Sequence, residues 1–190
     1  AEVLFGDMNP SGKLAATFPK HLEDVPAHRL GEFPGGDNVT YNEGIYVGYR
    51  YYDTYNVEPE FCFGYGLSYT EFDYSDIHVE VTSAGEGEVE VSVSCTVKNI
   101  GDRAGAEVVQ LYVSDKEVSV DRPEKELKGF RKVMLNPGEG KTVTFMLKDR
   151  AFSFYDVEKA AWKWEEGEFD ILVGSSSRDI RLGNRIELKK

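Results

Sequence analysis

From Phe72 onward, apolar and polar positions alternate along the chain. Val89, Val91, Val93, Cys95 and Val97 interleave strictly with Glu88, Glu90, Ser92, Ser94 and Thr96. Val79 and Val81 show the same period, as do Val109, Leu111 and Val113, then Val143, Phe145 and Leu147, then Phe169, Ile171 and Val173. Period two with one polar face predicts antiparallel strands packed on a core by one side. Turn-forming clusters separate the runs: SAGEGE at 83–88, NIGDRAG at 99–105, NPGEG at 136–140 and EEGE at 165–168. SSS at 175–177, followed by Arg178 and Asp179, suits a further turn between two strands.

About seven short strands at this spacing predict a mainly β fold, a two-sheet antiparallel sandwich of immunoglobulin or fibronectin type III shape. The antibody hallmark of two sheet-bridging cysteines around a tryptophan is absent, which favours the fibronectin-like variant. Cys95 shares the parity of the core valines and reads as a reduced core residue. A bridge to Cys62 is the lesser alternative. Two cysteines are too few for a disulfide scaffold and lack metal-ligand spacing.

Residues 1–70 differ in character. They are rich in Gly, Pro and aromatics and show little periodicity. AEVLF reads as the end of a helix closed by Gly6, without a cap at its start. NPSG at 9–12 is a turn, followed by a short strand candidate from Leu14 to Phe18 that Pro19 stops. The long irregular passage KHLEDVPAHRLGEFPGGDN then predicts a segment wrapped on another surface, because long unstructured loops are uncommon in compact domains. The expectation is an irregular segment from an incomplete α/β domain, at the C-terminal end of something longer.

Composition narrows the partners. With 22 Lys and Arg against 34 Asp and Glu, the formal net charge is −12. Nucleic acid and anionic membrane surfaces demand basic patches and are therefore disfavoured. No apolar run is long enough to span a bilayer. No basic start followed by an apolar core is visible, which leaves the compartment open with a slight lean to the cytoplasm. Asn38-Val39-Thr40 matches a glycosylation sequon, relevant only in a eukaryotic secretory setting.

Candidate chemistry centres on YNEGIYVGYRYYDTY, residues 41–55, which holds six of the eleven tyrosines. Glycoside hydrolysis needs two carboxyl groups flanking a sugar. Glu43 and Asp53 are the weak candidates for substrate binding, together with Arg50; Glu58 and Glu60 lie nearby. The alternative is a packing surface in which Arg50 anchors to a nearby carboxylate, Glu43 or Asp53 first. His21, His28 and His78 show no metal spacing, and no cofactor motif appears. Trp162 and Trp164, two apart, would share a strand face and could stack on sugars or pack under the loops.

Four ordered stretches carry a resemblance over nearly the whole chain: VLFGDMNPSGKLAATFPK (3–20), EGIYVGYRYYDTYNVEPEFCFGYGLSYTEFDYSDI (43–77), RPEKELKGFRKVMLNPGEGKTVTF (122–145) and FDILVGSSSRDIRL (169–182). They resemble the C-terminal portion of glycoside hydrolase family 3, whose typical members are β-glucosidases and β-xylosidases. The resemblance implies an enzyme in which a barrel supplies the aspartate nucleophile and an α/β sandwich domain the acid/base glutamate. It further implies double displacement with retention through a covalent glycosyl-enzyme. Both catalytic motifs would lie upstream of Ala1, so no residue here inherits either role.

On that reading residues 1–35 are the tail of the α/β domain, 36–70 a Tyr-rich connecting strap and 71–190 the fibronectin-like domain. The implied partners are the barrel and the α/β domain of the same enzyme, with a β-glucoside bound mainly by them; a homo-oligomer is possible. The alternative is a non-enzymatic carbohydrate-binding or adhesion module.

Overall fold

The computed structural model describes residues 1–85 and 88–189. Its body is the expected sandwich. One sheet has the order β1-β2-β5, built from β1 (Phe72–Gly85), β2 (Glu88–Asn99) and β5 (Gly140–Lys148). The other has the order β4-β3-β8-β9, built from β3 (Gly105–Asp115), β4 (Glu126–Leu135), β8 (Gly167–Gly174) and β9 (Ile180–Leu188). Neighbouring strands pair antiparallel throughout. A short hairpin, β6 (Phe154–Asp156) with β7 (Ala161–Lys163), stands apart from both sheets.

The alternating residues lie where their period places them. Val91, Val93, Val97, Val109, Leu111, Ile171 and Val173 are fully buried between the sheets, with Val143, Phe145 and Leu147 closing the core. Cys95 is buried among them and its thiol is free, as is that of Cys62. Burial pushes the Cys95 thiol up to about 11. Trp164 also packs into this core, whereas Trp162 on β7 is half exposed.

Three local expectations need correction. Leu14 to Phe18 is not a strand: only Phe18 bridges, to Phe61, while Leu14 exchanges backbone bonds with Gly64 and Tyr65. Gly64, at φ 81, turns the facing segment and prevents a continuous ladder. The alternation in β1 does not hold to its end, since register shifts between Ser75 and His78 and between Val81 and Ser83 leave Val81 partly exposed. The third concerns β3, where the polar face is not solvated: Gln110, Tyr112 and Ser114 are as buried as the valines between them. The turn expected at 83–88 includes residues 86 and 87, which lie outside the described residues.

What covers the outer face of β3 is the first seventy residues. They carry α1 (Glu2–Phe5), α2 (Pro26–Arg29) and α3 (Tyr49–Thr54), while α4 (Asp149–Phe152) follows β5. As expected, α1 ends at Gly6 in the left-handed conformation, φ 83, where the Gly6 amide donates to Val3. Leu4 and Phe5 remain 84% and 82% exposed, so this helix has no apolar cover within the described residues.

Candidate functional site

The Tyr-rich stretch is built as a strap. Gly48, at φ 58, reverses the chain and opens α3. Six residues of helix then present Tyr51 and Tyr52 inward, both buried. Tyr49 stacks on Phe63 at 4.8 Å and meets Tyr112 edge-on at 6.0 Å; its hydroxyl accepts the Leu127 amide at 2.8 Å. Tyr51 accepts from Arg29 at 2.9 Å. Tyr49 and Tyr51 thus bury apolar ring area while their hydroxyls keep a partner.

Ion pairs fasten the same helix. Asp53, whose side chain is 3% exposed, sits between Lys125 Nζ at 2.8 Å and Arg178 Nε at 2.5 Å. Arg178 also donates to the carbonyls of Tyr52 and Val57 at 2.9 and 3.0 Å. Arg50 pairs with Glu126 at 2.9 Å. The expected anchoring of Arg50 to Glu43 or Asp53 is therefore wrong. Asp53 is already engaged by two cations from the sandwich, and β4 offers Arg50 a carboxylate across the interface.

Glu126 is shared further with Arg122 at 3.3 Å and Lys128 at 3.1 Å. Burial pushes its carboxyl up, but Lys128, Arg50 and Arg122 outweigh that and hold it below the usual range. Lys128 lies below its own usual range because burial, aided by Arg122 and Arg50, exceeds the attraction of Glu126.

A second fastening lies beside the first. Gln110 on β3 donates to the Ser175 carbonyl at 2.6 Å and to the Gly64 carbonyl at 3.4 Å, and accepts from the Tyr112 hydroxyl at 2.6 Å. Gly64 approaches so closely that a Cβ there would lie 2.4 Å from Gln110 Oε1. The serines of the expected turn, Ser175, Ser176 and Ser177, are buried, and the Ser177 amide donates to Phe63. Lys13 reaches Glu107 at 3.0 Å, and Asn9 ties Ala104, Ser68 and Tyr69 together.

Of the three candidate residues, the structure brings Asp53 and Arg50 into this interface, each with a partner from the sandwich. Glu43 is half-buried and makes a turn with Tyr46 through its carbonyl; its Oε2 carries no hydrogen bond among the described residues. Neither Glu43 nor Asp53 is paired with the other. Lys125, Glu126 and Arg178 complete the interface; their charge gave no signal, because their partners lie far away in sequence. Tyr112 and Gln110 carried a readable one, as large or amide side chains on the polar parity of an otherwise apolar strand. Trp162 and Trp164 do not form one platform: Trp164 is in the core, and the Arg150 guanidinium lies over the Trp162 ring, 3.3 Å from its centroid. No cluster able to hold a metal ion occurs among the described residues.

A seven-stranded antiparallel sandwich, with a Tyr-rich segment locked across one face, is the architecture of a fibronectin-like domain. Residues 107–177 match the fibronectin type III-like domain, and residues 1–49 match the glycosyl hydrolase family 3 C-terminal domain. Over its whole length the chain is similar to a C-terminal portion of glycoside hydrolase family 3 β-glucosidases.

Among its relatives, thermostable beta-glucosidase B of Acetivibrio thermocellus is 56% identical over 99% of this chain and 25% of its own length. Beta-glucosidase BoGH3A of Bacteroides ovatus is 50% identical over 95% of this chain and 24% of its own length. The crystal structure of the Bifidobacterium adolescentis family 3 β-glucosidase superposes with a TM-score of 0.93 at 43% identity, over 99% of this chain and 27% of that one. The chain thus spans about a quarter of the length of the relatives it matches.

Proposed function

We propose that this chain is the stabilising C-terminal part of a retaining β-glucosidase-type hydrolase and supplies neither nucleophile nor acid/base. Residues 1–35 form the tail of an α/β domain, 36–70 the strap and 71–190 the fibronectin-like domain. The observation that carries the reading is the state of Asp53. It is the most deeply buried carboxylate of the candidate stretch, and both its neighbours are cations that fix it in place. A nucleophile or proton donor needs an open face toward a sugar, and Glu43 has no paired carboxylate to complete a catalytic couple.

Two further features support it. The similarity to β-glucosidases extends over nearly the whole chain. Large exposed apolar side chains are concentrated in the first seventy residues, Leu4, Phe5, Phe33, Tyr41 and Leu67 among them, as suits a surface covered by the other domains. The partners are then the barrel and α/β domains of the same enzyme, and the β-glucoside is bound mainly by them. Assay of the purified chain on an aryl β-glucoside tests this: no turnover above the uncatalysed rate is expected. Turnover that disappears in Glu43→Gln would overturn the reading.

A further inference from the structure

The ends of β4 and β5 meet the short helix α4 around a cavity of about 370 Å³. Three cations line it: Lys128 from β4, Lys148 from the end of β5 and Arg150 from α4. Among the described residues no carboxylate lines it. Asp149 lies between the last two cations in sequence but is not part of the wall. Leu127, Leu147 and Ala151 make the rest of the lining apolar, with Met146 exposed beside them. A cationic cavity is unexpected in a chain of net charge −12, and its origin is local. From Arg122 to Arg150 the chain has eight Lys and Arg against four Asp and Glu.

Most of that charge is not neutralised at the cavity. Arg150 has no carboxylate or hydrogen-bond partner among the described residues, and its guanidinium lies over the Trp162 ring, 3.3 Å from the centroid. Stacking occupies the face of a guanidinium and leaves its N–H groups, which lie in the plane, to find acceptors. A fork held in this way suits two parallel bonds to one anionic group. Lys148 has Glu90 at 3.8 Å, but both side chains are exposed and such a pair is worth little.

Lys128 is more enclosed. Its side chain is 16% exposed and meets Glu126 at 3.1 Å. Glu126 is also held by Arg50 and Arg122, so one carboxylate serves three cations. Burial first, then Arg122 and Arg50, hold Lys128 below the usual lysine range. An anion in the cavity would offset that repulsion.

Size and lining select among anions. The volume is at the lower end of small-ligand sites, which span roughly 300–1,000 Å³, and suits a ligand of about one ring. Three cations match a phosphomonoester, of charge about −1.5 to −2 at neutral pH, better than a single carboxylate. The leucines add a gain only for an anion that carries an apolar group.

We infer that the cavity between β4, β5 and α4 binds a small organic phosphate with an apolar substituent, Arg150 holding the phosphate and Lys148 and Lys128 flanking it. The site uses no residue before Leu127 and is independent of the function proposed above.

Calorimetric titration of the purified chain with phenyl phosphate, in salt of about 0.15 M to screen diffuse attraction, is the test. Saturable binding with a Kd of roughly 1 mM is expected. Inorganic phosphate and benzoate should each bind several-fold more weakly. Arg150→Gln should weaken binding by about tenfold, the loss that follows removal of a charged hydrogen-bonding group. Lys148→Gln should weaken it by less, and Lys98→Gln on β2 should leave it unchanged. Lys148 and Arg150 are exposed, so the melting temperature of these variants without ligand should stay close to the parent's. No saturable heat by about 20 mM phenyl phosphate would overturn the inference. So would undiminished binding by Arg150→Gln, or by Lys148→Gln where the first variant does not fold. Equal or tighter binding of inorganic phosphate would overturn the assignment to an organic ligand. Comparable binding of phenol, which has the ring without the charge, would remove the role of the cations.

Discussion

Asp53 in α3 and Arg178 in the turn between β8 and β9 meet at 2.5 Å, although one belongs to the strap and the other to the far end of the sandwich. The contact joins a helix of six residues, too short to persist alone, to a turn set by the last two strands of the sheet. With Lys125 on the other side, Asp53 is the point where the irregular first part of the chain is fixed to the regular second part.

Removing that charge should release the strap. Asp53→Ala leaves Lys125 nearly buried with no counter-ion, and Arg178 loses the partner that orients it toward the Tyr52 and Val57 carbonyls. A loss of about 3 kcal/mol is expected, at the low end for a broken buried pair because Arg178 is partly exposed. Thermal unfolding followed by circular dichroism checks it. Limited proteolysis should cut within residues 36–60 before the sandwich is attacked, and simultaneous loss of both parts would show that the strap has no separate stability.

Gly64 should tolerate no side chain. Its φ of 81 already disfavours an L residue, and a Cβ would lie 2.4 Å from Gln110 Oε1 and 2.8 Å from its carbonyl carbon. Gln110 cannot simply swing away, since it holds Tyr112, Ser175 and Gly64 at once. Gly64→Ala is expected to cost about 2 kcal/mol or more. Chemical denaturation of Gly64→Ala and of Gly64→Ala combined with Gln110→Ala checks the mechanism: the second substitution should recover part of the loss.

The sandwich was legible and the strap's lock was not, for one physical reason. Strands written as Val89 to Val97 declare themselves through a period that any single stretch contains. β4 showed no such period, because as an edge strand it keeps Phe130 and Met134 exposed and buries only Leu135 fully. Ion pairs such as Asp53 with Arg178 depend on the meeting of distant segments, and no local pattern specifies which Arg finds which Asp. Tyrosine density correctly indicated a packing surface. It did not reveal that the other half of that surface is the polar face of β3, Gln110 and Tyr112.

The two thiols should differ sharply in reactivity. Cys62 is half-buried and bonds Ser176 Oγ at 3.4 Å, whereas Cys95 lies in the core with its thiol pushed up to about 11. At pH 8 only Cys62 should be labelled by a maleimide or disulfide reagent in the native chain, because the thiolate is the reactive form. Both should react in denaturant. Native labelling of Cys95 at a comparable rate, read by mass spectrometry of the digested chain, would mean that the sheets open far more readily than the packing implies.

Acid should weaken the chain through three identified carboxylates. Arg185 holds Asp170 below the usual range, and Arg181 does the same for Asp179, which also accepts from Ser175. Glu126 is held down by its three cations against the effect of burial. Each therefore has a folded value below its unfolded one, where Asp and Glu titrate near about 4. The stability they contribute is fully present above the unfolded values and is lost as pH falls through the folded ones. Lys128 shifts downward from the lysine range and acts only at the alkaline end. Denaturation midpoints should thus be level from pH 7 to about pH 5.5 and decline steeply below about pH 4. The Asp170–Arg185 pair is exposed, so moderate salt should screen its share. Glu126 is enclosed, and its share should persist in salt. Glu126→Gln should flatten the acid limb even at high ionic strength; an unchanged acid limb in that variant would remove Glu126 from the account.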